Sequence, residues 1–301
     1  MSAEQLGFEG MPRRLYSCTP SRLNSWLDCP RRYRMTYLDR PQPQKGPPWA
    51  HNSLGVSVHN ALAAWWRLPA RQRTAEIAGT LLLRGWLTEG FRDAEQSAAW
   101  RSRARDMVEG YVSGLDPGEE PMGVERTVAM RTDSIAFSGR IDRLDARPGG
   151  ETGAELVVVD YKTGRRVLTE DDARASLALA LYAIASSRVL RRPCRRVELH
   201  HLPTGDVAVW EHTEESLLRH LRRAEQIAAE AQGADEAYKT RLNVPRPRQS
   251  ERPGTAVDHT PFDEVFPPRP SNLCAWCDFS RHCPEGQQAA ARKEPWAALA
   301  E

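Results

Sequence analysis

The stretch from Gly139 to Gly164 constrains the fold of this chain more than any other part of it. It reads G-R-I-D-R-L-D, then a break rich in glycine, then E-L-V-V-V-D-Y-K-T-G. Both flanking segments are short, apolar and rich in β-branched residues, which is typical of strands, and the break has the composition of a turn. We therefore predict a pair of strands in which Asp142 lies near Asp160.

The second strand also carries a lysine two residues after its carboxylate. Because side chains on a strand alternate between its two faces, Asp160 and Lys162 point to one face and Tyr161 points to the other. Two carboxylates with an ammonium group beside them can hold a hard cation such as Mg²⁺ or Mn²⁺, which activates water and offsets charge on phosphoryl oxygens. For D-x-K alone, the alternative is a half-buried strand with a surface ion pair, since the motif is frequent by chance.

Composition limits the class of protein. The chain has 301 residues, of which 40% are apolar and 27% charged, as is ordinary for a soluble protein with one elaborated domain or two. No apolar run is long enough for a membrane span and no secretion signal is evident, so we expect a cytoplasmic protein. The net charge of +2 is too small to indicate nucleic acid by itself. Any DNA site must come from local clustering of lysine and arginine.

The remaining patterns predict an α/β protein, with a mixed sheet of about five strands flanked by helices and an added helical region before it. Short connections between three consecutive strands predict an antiparallel meander. We expect four parts: a loose leader (1–14), an N-terminal helical part with Cys29 and His59 (15–118), a core with the two carboxylates (119–235), and a connector with a cysteine-rich segment (236–301). Residues 15–284 are expected to form one integrated domain.

A basic and aromatic helix is predicted near the N-terminus. Thr19 and Pro20 are typical of a helix start, and beyond Cys29 the pattern continues with arginines and tyrosines. Basic residues interleaved with aromatic ones suit a surface that contacts phosphates. A solvated helix face above an aromatic core stripe explains them equally well. The candidate DNA-contacting residues are Arg31, Arg32 and Arg34.

Two single residues stand out beside these patterns. His59 lies just beside the apolar stripe of the next predicted helix, where a lone histidine is more often structural than a ligand. Glu125 lies at the start of an otherwise apolar strand. It is either an additional metal ligand or a charge at the sheet edge, and we favour the edge charge.

The C-terminal segment N-L-C-A-W-C-D-F-S-R-H-C-P-E-G contains the spacing C-x₂-C-x₅-C. In a reducing compartment, clustered thiols of this kind indicate metal ligation rather than disulfides. Three of them can face one centre, and a fourth ligand completes the coordination of an iron–sulfur cluster or of zinc. His282 is the local candidate for that ligand and Cys29 the distant one. The remaining Cys18 and Cys194 are expected to be small buried side chains.

Together these motifs resemble the RecB-type exonuclease family of the PD-(D/E)xK nuclease superfamily, including its AddB-like and CRISPR-associated members. The shared features are S-R-L-N-S-W-L-D-C-P-R-R-Y, G-V-S-V-H at 55–59, G-R-I-D, V-D-Y-K-T-G, a tyrosine on the next helix and the three-cysteine run. They extend from residue 17 to residue 284. The resemblance implies a restriction-endonuclease-like core, DNA as the partner, single-stranded or as duplex ends, and phosphodiester hydrolysis with Mg²⁺ or Mn²⁺.

The resemblance also implies roles for individual residues. The catalytic metal would be held by His59, Asp142, Asp160 and the backbone carbonyl of Tyr161. Lys162 would be the catalytic lysine, and Tyr182 on the next helix would belong to the catalytic set. A 4Fe–4S cluster that fastens the C-terminal segment to the N-terminal helix would be held by Cys29, Cys274, Cys277 and Cys283. The chain departs from the family at Ala178, one turn before the tyrosine, where a glutamine is frequent.

We therefore expect a metal-dependent DNA exonuclease with an iron–sulfur cluster, acting in DNA repair or end processing. Two alternatives remain open: a DNA-binding structural module with a nuclease fold and weak or no catalysis, and a zinc-binding adaptor. The joint presence of the histidine, both aspartates and the lysine favours an active enzyme. The colour of the purified protein separates iron–sulfur from zinc, because d¹⁰ zinc is colourless.

Overall fold

The computed structural model describes residues 15–149, 153–242 and 262–300. In these ranges it has the predicted α/β architecture, a mixed sheet flanked by helices. The helices are α1 (Pro20–Asp28), α2 (Pro30–Tyr37), α3 (Ala50–Trp66), α4 (Ala75–Arg84), α5 (Ala94–Ser113), α6 (Glu170–Ala175), α7 (Leu177–Leu190), α8 (Glu214–Leu242) and α9 (Pro284–Ala289). None of the helices in these ranges is both long and apolar enough to cross a bilayer.

Within the described ranges the sheet has six strands, compared with about five predicted. They are β1 (Tyr16–Cys18), β2 (Gly123–Arg131), β3 (Ile135–Gly149), β4 (Gly153–Lys162), β5 (Cys194–His201) and β6 (Asp206–Glu211). The predicted antiparallel meander of β2, β3 and β4 is confirmed, and β5 joins β4 in parallel. The additional strand is β1, whose three residues are too few to show a period in the sequence.

Strand β3 has neighbours on both edges, and this arrangement creates the site. β2 follows one edge, opposite residues 136–144. The other edge is shared, because β1 pairs with residues 135–137 and β4 with residues 143–149. Among the described strands none pairs with residues 138–142 on that edge. The sheet is therefore open there, at the level of Asp142.

The continuous apolar run of β4 is buried on both faces of the sheet. Leu156 and Val158 pack into a core with α1, α7 and α8, whereas Val157 and Val159 pack into a second core with α3, α4 and α5. A strand covered on both faces needs apolar side chains at consecutive positions rather than alternate ones. This explains why L-V-V-V precedes the carboxylate of Asp160 without a polar interruption.

Three local predictions differ from the structure. The sequence pattern at 169–190 predicts one helix, but the structure has two, because Ser176 adopts an extended conformation and its hydroxyl caps α7 by accepting from the N–H of Leu179 at 3.3 Å. The glycine at 233 predicts the end of the polar helix that Thr213 begins, but α8 continues through Gly233 to Leu242. Much of the predicted turn at 146–153 is strand. The predicted leader (1–14) and most of the predicted connector (243–261) lie outside the described residues.

The segment 262–300 packs against the N-terminal helices. The ring of Phe266 lies 6.1 Å from that of Trp26 on α1. At the start of α3, Trp49 has its ring centre 5.3 Å from that of Trp276, and its indole N–H donates to Oδ1 of Asp278 at 2.8 Å. The helix that carries His59 is therefore held at its N-terminal end by the cysteine-rich segment.

Candidate metal centre and cysteine pocket

A cleft of about 1270 Å³ opens where β3 and β4 separate. The sheet supplies its floor, and α3 and α7 supply its walls. Five of the side chains that line it carry chemistry: His59 from α3, Glu125 from β2, Asp142 from β3, Lys162 from β4 and Tyr182 from α7. Four of these five were predicted from the sequence, and the structure brings them together.

Asp142 lies where the pairing of β3 with β4 ends. The last pair in this direction is Arg143 with Val159, so that Asp142 and Asp160 would be the next one. They do not pair. Instead the backbone N–H of Tyr161 donates to Oδ2 of Asp142 at 2.8 Å. One carboxylate oxygen is thereby fixed by the backbone of the neighbouring strand.

The imidazole of His59 lies between the other groups that were predicted as ligands. Its Nδ1 is 3.3 Å from Oδ1 of Asp142, and its Nε2 is 3.2 Å from the carbonyl oxygen of Tyr161. Burial alone would lower the pKa of His59, but the nearby carboxylates, Asp142 first, raise it above its usual value. The negative potential that attracts a proton here also attracts a metal cation.

Glu125 was interpreted as an edge charge, and the structure instead turns its carboxylate into the cleft. Ligand atoms of Glu125, His59 and Asp142 all lie within 4.8 Å of one another. Glu125 has a φ of +48°, a left-handed conformation that is rare for glutamate, and its Oε2 accepts from Nε of Arg140 at 2.7 Å. Burial raises the pKa of Glu125, Asp142 adds to this effect, and Arg140 opposes it. Strain at a cluster of ligands is typical of functional sites.

The cross-strand register offered a signal that could have identified Glu125. Val124 pairs with Arg143 and Arg126 pairs with Ile141, which places Glu125 opposite Asp142. Residues opposite each other in an antiparallel pair lie on the same face of the sheet. The predicted meander places Glu125 beside Asp142 once the register between β2 and β3 is included.

Asp160 and Lys162 form an ion pair, as their common strand face requires. Burial raises the pKa of Asp160, Lys162 opposes this effect, and Asp142 adds to it. The Asp160 carboxylate lies outside the compact group formed by His59, Glu125 and Asp142. Of the four predicted ligands, His59 contacts two others, Asp142 and the Tyr161 carbonyl, and the fourth, Asp160, is engaged by the predicted catalytic lysine.

Tyr182 reaches the cleft across Gly139. A Cβ at residue 139 would collide with the ring of Tyr182, so the absence of a side chain there makes room for the phenol. Burial raises the pKa of Tyr182 to about 12, and Asp160 and Asp142 add to this effect. At neutral pH the hydroxyl is therefore protonated and can donate a hydrogen bond into the cleft.

Behind the cleft, the side chains of Trp66 and Arg143 contact Tyr161, and the sequence analysis identified neither of them. The phenol of Tyr161 accepts from the indole N–H of Trp66 at 3.2 Å, and the guanidinium of Arg143 lies 5.9 Å from its ring centre. Arg143 is 2% exposed and forms an ion pair with Asp145 at 3.0 Å. These contacts fix the residue whose backbone carbonyl and N–H both face the cleft.

Four cysteines from the two ends of the chain line a second pocket. They are Cys29, Cys274, Cys277 and Cys283. Cys18 and Cys194 do not belong to this group; they are buried in the core, as predicted. His282 does not line the pocket, and its Nε2 lies 2.9 Å from the carbonyl oxygen of Gln44. Of the two candidate fourth ligands, the geometry places Cys29 with the other thiols.

Two distances describe the space between the four cysteines. A Cβ on Gly286 would lie 3.4 Å and 3.5 Å from the sulfurs of Cys283 and Cys274, in ordinary van der Waals contact, so Gly286 directly borders both cysteines. Four thiolates on one zinc ion would lie roughly 3.8 Å apart, given a Zn–S bond of about 2.3 Å. Among the described residues, no three of these sulfurs lie within 4.8 Å of one another.

The predicted DNA contact by the arginines of α2 is not supported for two of the three. The side chains of Arg31 and Arg34 are only 2% and 1% exposed. Arg31 pairs with acidic residues of the segment 262–300, and Arg34 pairs with Asp39 and lies over the ring of Phe262. That segment covers the basic face of α2. Arg32 is 40% exposed, pairs with Asp28 and stays a candidate.

Comparison with known proteins gives the family. The model of the PD-(D/E)XK nuclease superfamily matches residues 17–284. No curated protein matches the chain. Among solved structures, it is similar to a protein from Eubacterium rectale described as a candidate exonuclease, with 11% identity, a TM-score of 0.42, and coverage of 86% of this chain and 98% of that one. The family match spans both the metal centre and the cysteine pocket, and the chain belongs to the PD-(D/E)XK nuclease superfamily.

Proposed function

We propose that this protein is a metal-dependent DNA exonuclease of the RecB type that acts in repair or end processing. The observation that carries the proposal is the grouping of His59, Glu125 and Asp142 in one cleft, with Lys162 on the adjoining strand. The two carboxylates offer the oxygen donors that suit Mg²⁺ or Mn²⁺, and the imidazole adds one nitrogen donor. The Tyr161 carbonyl, in contact with His59, is a further donor, whereas Asp160 is paired with Lys162 and does not line the cleft.

When bound, the cation activates a water molecule and offsets the charge on the phosphoryl oxygens. The protein's own groups have separate roles around it. The N–H of Tyr161 holds Asp142 in one orientation. Lys162, cationic and paired with Asp160, can donate to the attacking water or to a phosphate oxygen. The protonated hydroxyl of Tyr182 is a neutral donor on the opposite wall of the cleft.

A degradation assay on end-labelled DNA tests this proposal. Single-stranded, duplex and covalently closed circular DNA are incubated with Mg²⁺ or Mn²⁺. We expect short products from linear DNA with either ion, none with a chelator, and intact circles. Cutting of the circles would identify an endonuclease, and intact linear DNA under all conditions would contradict a nuclease function.

We propose further that the four cysteines of the pocket hold a 4Fe–4S cluster. Their convergence on one pocket from residue 29 and residues 274–283 supports it. When bound, the cluster would cross-link the N-terminal helices to the C-terminal segment, so that residues 15–284 act as one nuclease domain. A brown protein with iron and acid-labile sulfide is expected. A colourless protein with one zinc ion per chain would contradict the cluster and leave the nuclease proposal standing.

A further inference from the structure

A buried arginine contacts the cysteine pocket. Nη1 of Arg31 lies 3.4 Å from Sγ of Cys283, and its side chain is 2% exposed. The same nitrogen donates to Oε2 of Glu285 at 2.5 Å, while Nη2 contacts Oε1 of Glu285 at 3.1 Å and Oδ1 of Asp263 at 2.8 Å. The guanidinium of Arg31 therefore contacts two carboxylates and one cysteine sulfur.

The position of Glu285 creates a problem for metal ligation that Arg31 can solve. Oε2 of Glu285 is only 3.6 Å from Sγ of Cys283. A thiol can donate to that carboxylate, but a metal ligand must be the thiolate. The thiolate and the carboxylate would repel each other at this distance. Because Nη1 of Arg31 contacts both atoms, it places a positive group where the two negative charges meet.

We propose that Arg31 is a positioning residue for the cysteine site, which keeps Cys283 competent as a thiolate ligand beside Glu285. Arginine remains charged and has only donors, so it stabilises the thiolate without taking its proton, which goes to solvent. Its N–H group directed at the sulfur also raises the reduction potential of a bound iron–sulfur cluster. This inference rests on the proposed metal binding by the four cysteines.

A purely structural role for Arg31 makes a different prediction about Glu285. In that case Arg31 clamps α2 to the segment 262–300 through its carboxylate partners. Loss of Glu285 would then weaken the pocket, just as loss of Arg31 does. In our proposal the two residues act in opposite directions on Cys283, so removing the carboxylate helps the thiolate. The sign of the Glu285 effect separates the two explanations.

The test compares wild type, Arg31→Gln, Glu285→Gln and the double variant, each reconstituted with iron and sulfide. Iron release to a chelator and the reduction potential of the bound cluster are measured. Losing a partner outside the ligand set typically costs roughly 10- to 100-fold in metal affinity, and we expect a loss of that size in Arg31→Gln. Its potential should be lower than that of wild type. Glu285→Gln should hold iron at least as well as wild type, and the double variant should recover part of the loss.

Arg73→Gln is the matched control. Arg73 is also a buried arginine, with Glu120 as its ion-pair partner, and it lies outside the cysteine pocket. Its loss should lower the thermal stability but change neither iron release nor the potential. Arg31→Lys, which keeps the charge, should fall between wild type and Arg31→Gln.

Each other outcome has a defined meaning. A wild-type potential and wild-type iron release in Arg31→Gln would overturn the inference, and so would a Glu285→Gln protein that loses iron as readily. If wild type binds zinc instead of iron, zinc affinity replaces the potential, and the same order of variants is required. A wild-type protein that binds neither would overturn both the cluster and this inference, while the DNA assay judges the nuclease proposal separately.

Discussion

The backbone N–H of Tyr161 donates to Oδ2 of Asp142, in the place where the ladder between β3 and β4 stops. The other oxygen, Oδ1, faces His59. The backbone of Tyr161 and the imidazole of His59 therefore each hold one oxygen of the carboxylate. It also means that the charge of Asp142 can be removed without removing this hydrogen bond.

Asp142→Asn should abolish DNA cleavage while the fold is retained. The amide oxygen still accepts from Tyr161, but the negative charge that a divalent cation requires is lost. Cleavage of end-labelled DNA and thermal unfolding are the measurements. Asp133→Asn is the control, since Asp133 is an exposed carboxylate in the connection between β2 and β3. Wild-type turnover in pure Asp142→Asn would rule out the proposed site.

Lys162→Ala should bind metal but cleave poorly. Protonated lysine cannot ligate a cation, and its expected contribution is to charge stabilisation, for which the loss of one donor typically costs about 10²–10³ in rate. The substitution also removes the ion-pair partner of Asp160. Calorimetric titration with Mn²⁺, alongside the cleavage assay, checks this separation. A large loss of metal affinity would contradict it.

Glu125→Gln should weaken Mn²⁺ binding by about tenfold or more if the carboxylate is a ligand, by analogy with the cost of losing groups that support a metal site. Glutamine keeps the size and the unusual φ, and only the charge changes. Arg140→Gln is the matched control, because it removes the partner of Glu125 and leaves the carboxylate in place. Unchanged Mn²⁺ affinity in Glu125→Gln would show that Glu125 is a structural charge and not a metal ligand.

Cys29→Ser should lose the cluster, lower the melting temperature and make the C-terminal segment sensitive to protease. Cross-links that close long loops constrain the unfolded chain, by about 4.7 kcal/mol for a 100-residue loop in the disulfide case. His282→Ala should keep its iron, since His282 does not line the pocket. Iron and acid-labile sulfide per chain are measured in both. Full iron in Cys29→Ser together with loss in His282→Ala would reverse the assignment.

The stability of the protein should fall as the pH drops from about 6.5 to about 4 because of His212. Its side chain is buried, Nδ1 lies 2.9 Å from Oγ of Ser216, and burial, followed by His220 and Arg219, lowers its pKa to about 4. Between these pH values the unfolded chain binds a proton at this residue and the folded chain does not. The slope from one such group is at most about 1.4 kcal/mol per pH unit.

Urea unfolding at pH 7.5, 6 and 5 measures this effect in wild type and His212→Asn. Asparagine can keep a hydrogen bond to Ser216 but does not titrate. The other titrating groups are common to both proteins and cancel in the difference. The variant should therefore lose less stability than wild type between pH 7.5 and 5, and equal losses would contradict the assignment.

Features with local causes were predictable from the sequence. The common face of Asp160 and Lys162 follows from the period of a strand, and the cap of α1 by Thr19 follows from side-chain chemistry. The cross-strand register places Glu125 opposite Asp142, but no propensity indicates its left-handed φ. The burial of Arg31 depends on contacts with Asp263 and Glu285, far along the chain, and local patterns carry no information about those.

The packing of Trp49 on Trp276 and Asp278 also has a consequence for the order of synthesis. A ribosome makes α3 and His59 early, and makes the segment that holds the start of α3 more than two hundred residues later. A nascent chain therefore has both aspartates and the lysine before its histidine helix is secured. If the proposed nuclease needs that support, cleavage of DNA begins only after the cysteine-rich segment has left the ribosome. A chain that ends before Trp276 would then not cleave DNA.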